Sequence, residues 1–306
     1  MEGVVTKTTG SFYWVKDKTG KLFTCRLKGN IRLTDNKFTN PASVGDVVTF
    51  FATEKDEGVI GSIHPRKNYI VRKSVNLSKQ AHILASNIDQ AILVATLVEP
   101  KTYTVFIDRY LVTAEAYHIP AIIVFNKIDL YDKVLSSELK ELTDLYTAVG
   151  YQCFAVSAMN DSDFSHLTHL FKNKTSLISG YSGVGKSTLI NRLDPSLNLK
   201  TSVVSESHAS GVHTTTFSEM HEMKGIGWVI DTPGIKGLGV LDIKKEELSH
   251  YFIEMRELLS NCRFNNCVHI DEPGCAVKAA LERGEVAASR YKSYLNIFYN
   301  QEDTYR

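Results

Sequence analysis

A glycine-rich segment with the spacing G-x-x-x-x-G-K-S runs from Gly180 to Ser187. It follows the short apolar run 176–179 and precedes a helical pattern over 186–193, which is the strand, loop and helix order that phosphate-binding loops require. Backbone N–H groups of such a loop face a polyphosphate, and the helix N-terminus adds a partial positive charge. A glycine-rich loop without a ligand is the alternative. The residues predicted to bind phosphate and Mg²⁺ are Gly180, Tyr181, Ser182, Gly183, Val184, Gly185, Lys186 and Ser187.

A second motif has the residue types that recognise guanine. Asn126, Lys127 and Asp129 follow the apolar run 121–125, which indicates a buried parallel strand. Asp129 can accept hydrogen bonds from the ring N–H and the amine of guanine, whereas adenine would leave a buried carboxylate without donors. The motif favours GTP over ATP, although four such residues also occur in surface turns. Ser157 and Ala158, after the predicted strand 153–156, are expected to support the base through backbone contacts.

Two further segments have the composition of nucleotide-sensing loops. Asp231 and Gly234 follow the apolar run 227–230, so Asp231 can reach a metal through water and Gly234 can turn toward the γ-phosphate. Thr215 lies in the polar stretch 211–216 and is a candidate to complete the Mg²⁺ shell. Ras-like GTPases orient the attacking water with a Gln, but Ile235 stands at that position here. His213 is therefore the candidate for orienting water, and the alternative is that it packs in the loop or contacts RNA.

The order of these motifs is unusual. The guanine motif at 126–129 precedes the phosphate loop at 180–187, and the Asp-x-x-Gly motif at 231–234 comes last. An ordinary GTPase domain begins with the phosphate loop, so the order indicates a circular permutation. The chain would then leave the nucleotide-sensing loop through residues 235–241, and we expect GTP to fix the orientation of the flanking domains through that junction.

The N-terminal region has a local basic excess. Residues 1–74 contain 13 Lys and Arg against 7 Asp and Glu, a charge of +6, whereas the whole chain of 306 residues carries +1. Five short apolar runs at 3–5, 12–15, 22–25, 47–51 and 58–60 predict a small barrel of the oligonucleotide-binding type. Alternation along strands sends about half of its aromatic residues into the core. The candidates for RNA contact are Phe12, Tyr13, Trp14 and Phe23 amid Lys16, Lys18, Lys21, Arg26 and Lys28, and the alternative is a solvated basic surface.

The C-terminal region contains three of the five cysteines. Cys262, Cys267, His269 and Cys275 lie within 14 residues and supply the ligands of a closed tetrahedral zinc site. Three buried cysteines and a surface histidine are the alternative. Cys25 and Cys153 fall in predicted strands and are expected to be core residues. Helices are predicted over 246–259 and 276–299.

We therefore predict a multidomain chain. Residues 1–72 form the β-barrel (OB-fold), residues 75–237 form the α/β P-loop GTPase domain with circularly permuted topology, and residues 238–306 form the small helical zinc-binding domain. Residues 66–73 are expected to be a basic connector. No apolar run approaches the ~20 residues that span a bilayer, and the first residues lack a signal-peptide pattern, so we expect a cytoplasmic protein.

Barrel, permuted GTPase domain and Cys-Cys-His-Cys segment together resemble the RsgA (YjeQ) family over essentially the whole chain. The resemblance implies a GTPase that binds ribosomal RNA, acts in late maturation of the small ribosomal subunit, and hydrolyses GTP slowly unless the subunit stimulates it. It implies GTP or GDP, Mg²⁺ and one structural Zn²⁺ as cofactors. The expected partners are the small subunit, its rRNA and other assembly factors, and the protein is expected to be a monomer. The family's nucleotide residues extend to Thr188. Val212 departs from the family, which commonly has a basic residue there.

Two other functions are compatible with the motifs. One is a nucleotide-regulated RNA-binding scaffold with negligible turnover, and the other is a P-loop enzyme that transfers phosphate to a small metabolite. The basic barrel and the zinc domain disfavour the phosphate-transferring enzyme, because neither provides a recognisable pocket for an acceptor metabolite. Measuring GTP turnover with and without small ribosomal subunits would separate the three.

Overall fold

The computed structural model describes residues 1–29, 31, 38, 40–73, 81–162, 164–199, 218–231 and 243–299. It divides into two compact units, each assembled from separate stretches of the chain. The first unit comprises Met1–Ile92, Asp161–Ser179 and Gly185–Lys236, and the second comprises Leu93–Asn160, Gly180–Val184 and Gly237–Arg306. The domain boundaries given above stay a prediction. Among the described residues, no helix combines the length and apolarity needed to cross a membrane.

Five strands at the start of the first unit form a closed barrel, as predicted. Each strand pairs with the next in the order β1-β2-β3-β5-β4, and β4 pairs again with β1. Phe23 and Phe50 meet in the core with ring centroids 5.1 Å apart. Alternation holds, because Tyr13 and Phe23 are buried whereas Phe12 is exposed. The strands are β1 Glu2–Thr9, β2 Phe12–Asp17, β3 Leu22–Leu27, β4 Val47–Ala52 and β5 Glu57–Ile63.

The segment predicted to be a basic connector is structured instead. Strand β6 (Tyr69–Lys73) pairs antiparallel with β7 (Ala81–Ser86) in a separate two-stranded sheet. Arg66 donates from Nε and Nη2 to the two carboxylate oxygens of buried Asp46, at 2.7 and 2.8 Å. Ser86 Oγ donates to the same carboxylate at 2.6 Å. Arg66 therefore belongs to an internal ion pair and not to a basic surface. Local sequence cannot reveal this pair, because Asp46 lies 20 residues from Arg66.

The α/β elements follow the predicted alternation. In the second unit, β10 pairs parallel with β9, and every residue of β9 is buried. In the first unit, β11 pairs parallel with β13, which pairs antiparallel with β12. The elements are β8 Gln90–Ala95, α1 Thr104–Ala116, β9 Ala121–Phe125, α2 Lys133–Val149, β10 Gln152–Ala155, α3 Ser165–Phe171, β11 Thr175–Ser179, α4 Lys186–Leu193, β12 Glu219–Met223 and β13 Gly227–Asp231.

Strand β12, which the sequence pattern did not indicate, joins the barrel to the other strands of the first unit. It pairs antiparallel with β1 at Lys7 and Glu219. Lys7 Nζ lies 3.3 Å from the Glu219 carboxylate, and Lys16 forms an ion pair with Glu222. Two lysines of the barrel are thus paired with carboxylates of β12, so they contribute less to a positive surface than their number suggests.

The two helices predicted in the C-terminal region are both interrupted. Residues 246–259 form a 3₁₀ helix (Lys245–Tyr251), the short α5 (Ile253–Arg256) and another 3₁₀ turn, because Phe252 is extended and fully buried. Residues 276–299 form α6 (Ala276–Glu282) and α7 (Ala288–Phe298). Gly284 adopts a φ of 77° between them, a left-handed conformation that ends the first helix.

Candidate nucleotide site and metal centre

The Asn126 side chain joins three segments of the second unit. Its Nδ2 donates to the Val184 carbonyl of the glycine-rich loop at 2.8 Å, and its Oδ1 accepts from Ala158 N at 3.0 Å. Its backbone N donates to Ala95 O at the end of β8, at 2.8 Å. With 1% of its surface exposed, Asn126 is a fixed cross-link between the guanine motif, the Ser157–Ala158 corner and the phosphate loop.

The other residues of the guanine motif are oriented around this cross-link. Lys127 has a φ of 63° and donates through Nζ to the Glu99 carbonyl. Asp129 is exposed, so its carboxylate is accessible to a base. The penalty for an unmatched buried carboxylate would therefore apply only once a base covers Asp129. Ser157 is buried, and its Oγ accepts from Asn160 N at 3.0 Å.

The glycine-rich loop has the backbone that its sequence requires. Gly180, Gly183 and Gly185 have φ values of 144°, 85° and 95°. A Cβ on Gly180 would lie 2.3 Å from the Val94 carbonyl oxygen, so no larger residue fits there. The ring of Tyr181 packs on Phe106 of α1 with centroids 4.1 Å apart. The loop is therefore seated on the start of α1.

Helix α4 begins directly after Gly185, and its first residue is Lys186. Burial lowers the pKa of Lys186, while the charge of Asp231 at the end of β13 opposes that shift. Both residues belong to the first unit, and the predicted metal-facing aspartate acts electrostatically on the predicted phosphate-binding lysine. Ser187 and Thr188 follow on the first turn of α4. His213, Thr215 and Gly234, and the junction 235–241, lie outside the described residues.

The four predicted metal ligands converge. One ligand atom from each of Cys262, Cys267, His269 and Cys275 lies within 4.8 Å of the others. His269 Nδ1 is 3.7 Å from Cys262 Sγ and 3.3 Å from Cys275 Sγ, so Nδ1 is the nitrogen that faces the thiols. Burial lowers the pKa of His269 and favours the neutral imidazole that binds metals. Three thiols and one imidazole fit a tetrahedral site for a soft divalent cation.

The backbone around the cluster is held by a ring of hydrogen bonds. Tyr291 OH donates to His269 O and Tyr294 OH donates to Val268 O, both at 2.6 Å. The Glu272 carboxylate accepts from the backbone N of Val268 and of Ile270, at 2.9 Å each. These bonds fix the loop in which His269 has a φ of 61°, and they preorganise the ligand geometry.

The C-terminal segment is attached to α1 by a buried ionic network, which the sequence did not reveal. Arg290 of α7 donates from Nη1 to Asp108 at 2.7 Å, and from Nε and Nη2 to Glu254 at 2.7 and 2.9 Å. The side chains of Arg290 and Asp108 are 1% and 0% exposed. Tyr146 OH donates to Asp108 at 2.9 Å. Burial raises the pKa of Asp108, and the guanidinium of Arg290 opposes this rise.

The barrel, the glycine-rich loop and a guanine motif that precedes this loop in the sequence define a P-loop GTPase of the circularly permuted class. The family model described as RsgA GTPase matches residues 63–241, and the RsgA N-terminal domain matches residues 2–60. The chain belongs to the RsgA GTPase family.

Similar proteins cover almost its full length. A protein of Christiangramia forsetii named small ribosomal subunit biogenesis GTPase RsgA is 52% identical over 100% of this chain and 98% of its own. A Bacteroides fragilis protein of the same name is 49% identical over 99% and 98%. The crystal structure of YjeQ from Thermotoga maritima matches with a TM-score of 0.80 and 36% identity over 98% and 97%. YloQ, described as a circularly permuted GTPase, matches at 0.75 and 33% over 98% and 94%.

Proposed function

We propose that the chain is a GTPase that assists late maturation of the small ribosomal subunit, binds its rRNA, and hydrolyses GTP slowly until the subunit stimulates it. The Asn126 cross-link between guanine motif and phosphate loop carries this proposal, and the names of the full-length relatives support it. The protein would work as a monomer in the cytoplasm beside other assembly factors. Its three domains would span residues 1–72, 75–237 and 238–306.

The predicted residues would bind three parts of the nucleotide complex, namely the guanine base, the phosphates and the Mg²⁺ ion. Asp129 would accept from the guanine N–H groups, with Lys127, Ser157 and Ala158 supporting the base. Lys186 would bind the terminal phosphates, and Ser187 and Asp231 would hold Mg²⁺, which supplies positive charge against the β- and γ-phosphates when bound. The remaining residues proposed to bind GTP or GDP are Asn126, Gly180, Tyr181, Ser182, Gly183, Val184, Gly185, Thr188 and Gly234.

We propose that the Cys-Cys-His-Cys cluster holds one structural Zn²⁺. The isolated protein should contain close to one zinc per chain. Removing the zinc with a chelator should unfold the C-terminal region, because metal binding and folding of such a loop are coupled. Metal analysis and near-ultraviolet circular dichroism, before and after chelation, measure both effects. Cys275→Ser should lose zinc, whereas Cys153→Ser, which changes a cysteine outside the cluster, should retain it. A metal-free preparation with an unchanged spectrum would contradict the assignment.

A row of exposed side chains crosses the barrel and is proposed to contact rRNA. The Arg26 guanidinium lies 4.8 Å from the Phe12 ring centroid. Arg26 pairs with Val59 in β5, and Val59 pairs with Phe51 in β4. Phe51 is 64% exposed, and Phe12 and Val59 are each 36% exposed. Aromatic faces flanking a guanidinium suit the stacking of unpaired bases.

Replacing Phe51 by Ala should weaken binding to small ribosomal subunits by about tenfold, since stacking of one base contributes about 1–3 kcal/mol. Filter binding at fixed salt measures the effect. Leu22→Ala is the matched control, because Leu22 is a 48% exposed barrel residue outside the row. Equal affinity of both variants would remove the row from the RNA surface.

We propose that helix α1 communicates nucleotide occupancy to the C-terminal region. Phe106 near its start contacts Tyr181 of the phosphate loop, and Asp108, two residues later, binds Arg290. A second hydrogen bond joins the same two helices, because Arg109 Nη2 of α1 donates to Asn296 Oδ1 of α7 at 3.0 Å. A shift of the loop on binding a γ-phosphate would therefore reach α7 through one rigid element, in addition to any effect through residues 235–241.

His213 and Thr215 remain the proposed catalytic residues. If His213 orients the attacking water, His213→Ala should abolish most subunit-stimulated turnover and leave GTP affinity within a few-fold, because the imidazole would act only on the reacting water. Thr215→Ala should reduce turnover by weakening the hold on Mg²⁺. Turnover at saturating GTP with purified subunits measures both. Full stimulated activity in His213→Ala would exclude this residue from the reaction.

Cosedimentation with purified small subunits tests the proposed cycle. Binding should be tight with a slowly hydrolysed GTP analogue and weak with GDP, because the proposed sensing loops would contact the γ-phosphate, which GDP lacks. Large subunits serve as the control. Equal binding in the two nucleotide states, or equal binding to both subunits, would contradict the proposal.

A further inference from the structure

Tyr131 lies two residues beyond the guanine motif and is held by two backbone groups. Its hydroxyl donates to the Asn126 carbonyl and accepts from Leu97 N, both at 2.8 Å. Leu97 and Asn126 are 3% and 1% exposed, so water cannot readily replace the phenol at either group. The hydroxyl is therefore a bridge between the loop that follows β8 and the first residue of the guanine motif.

The residue that Tyr131 fixes is the one whose side chain organises the site. Asn126 donates to Val184 of the phosphate loop and accepts from Ala158, and both bonds depend on the position of its backbone. The backbone N of Asn126 is already bound to Ala95, which leaves its carbonyl as the group that Tyr131 controls. Rotation of that peptide would displace Lys127, which follows directly in a left-handed conformation with a φ of 63°.

A second set of contacts keeps the two loops together. Lys127 Nζ donates to Glu99 O, and Lys101 Nζ lies 2.9 Å from Glu138 of α2. Tyr131 N donates to Ile128 O at 3.1 Å and closes the turn that contains Asp129. Burial raises the pKa of Tyr131, the hydrogen bond from Leu97 N opposes that rise, and the charges of Glu138 and Asp129 add to it, so the phenol stays protonated and remains a donor.

We propose that Tyr131 is a positioning residue for guanine nucleotides: its hydroxyl fixes the Asn126 peptide and thereby the base-binding loop, without contacting the reacting phosphate. The inference rests on the proposed function of residues 126–129. It separates binding from chemistry, because the hydroxyl contacts only the backbones of Leu97 and Asn126. Neither residue is proposed to bind the γ-phosphate or Mg²⁺. Tyr131 therefore affects affinity and leaves the rate at saturation unchanged.

The variant Tyr131→Phe keeps the ring and removes only the hydroxyl. We expect the dissociation constants for GTP and GDP to rise together by about tenfold, because a buried N–H and a buried carbonyl lose their shared partner. The measurement uses N-methylanthraniloyl GDP and GTP with the full chain, and the dissociation rate should increase correspondingly. KM for subunit-stimulated hydrolysis should rise while kcat at saturating GTP stays within about twofold of the original.

Tyr151→Phe is the matched control, because the buried Tyr151 hydroxyl has no hydrogen-bond partner among the described residues. It should bind nucleotide as the original chain does. In the Asp129→Asn background, Tyr131→Phe should weaken xanthine nucleotides by the same factor, which separates loop positioning from base recognition. Unchanged affinity in Tyr131→Phe, a fall in kcat with KM constant, or an equal effect of Tyr151→Phe would each overturn the proposal.

Failure of this inference is distinguishable from failure of the proposed function. If the original chain binds guanine nucleotides and Asp129→Asn shifts its preference, but Tyr131→Phe binds normally, only the role of Tyr131 is wrong. If the original chain binds no guanine nucleotide, or Asp129→Asn changes nothing, the base site itself lies elsewhere.

Discussion

Asp129→Asn is expected to convert a guanine site into a xanthine site. The carboxylate can accept two hydrogen bonds from guanine, whereas the amide presents a donor where xanthine has a carbonyl. The ratio of GDP to XDP affinity should change by at least about a hundredfold, since a mismatched buried polar group is strongly penalised. Competition of both nucleotides against a fluorescent GDP analogue measures the ratio.

Asp132→Asn is the control for that experiment. Asp132 caps helix α2 by accepting from Val134 N and Leu135 N, and an Asn side chain caps a helix comparably well. The same chemical change three residues away should leave the nucleotide preference unaltered. GTP selectivity that survives Asp129→Asn would mean that another residue reads the base.

Arg290→Ala is expected to destabilise the protein severely. The change leaves the fully buried Asp108 carboxylate with Tyr146 OH as a neutral donor in place of a guanidinium. Removing one partner of a buried ion pair costs about 3–5 kcal/mol, because the remaining charge stays desolvated. Chemical denaturation of the full chain with bound GDP measures the free energy of unfolding. Near-ultraviolet circular dichroism should follow the loss of packing around α7.

Arg283→Ala is the matched control, because Arg283 pairs with Glu285 at 2.7 Å on the surface. Exposed ion pairs contribute little to stability, so this variant should have the same free energy of unfolding as the original chain. A second variant, Arg290→Met with Asp108→Leu and Glu254→Gln, removes the charges together and should recover much of the lost stability. Arg290→Ala behaving like Arg283→Ala would show that the network does not hold α7 to α1.

The elements that local sequence predicts well are those whose signal lies within one short segment. The strand before Asn126 is a run of five apolar residues, and it is buried throughout. The helix after the phosphate loop begins at Lys186 and ends at Leu193, as the pattern indicated. The four metal ligands lie within 14 residues, so their spacing alone predicted that they would meet.

The features that the sequence did not reveal depend on partners far along the chain. Arg290 and Asp108 are separated by 182 residues, and neither stands in a recognisable motif. Tyr131 makes one of its bonds to Leu97, 34 residues earlier. The interrupted helix around Phe252 has a similar cause, because that ring lies 4.7 Å beneath the Arg290 guanidinium. Tertiary packing there outweighs the helical pattern.

The rate of GTP hydrolysis with and without purified small ribosomal subunits shows whether this chain is a subunit-stimulated GTPase. We expect slow turnover by the protein alone and a large acceleration by small subunits, with none by large subunits. The acceleration should disappear in Lys186→Ala, which removes the proposed phosphate contact. A rate that small subunits leave unchanged, although the protein binds both GTP and the subunit, would rule out subunit-stimulated hydrolysis and favour a nucleotide-regulated RNA-binding scaffold.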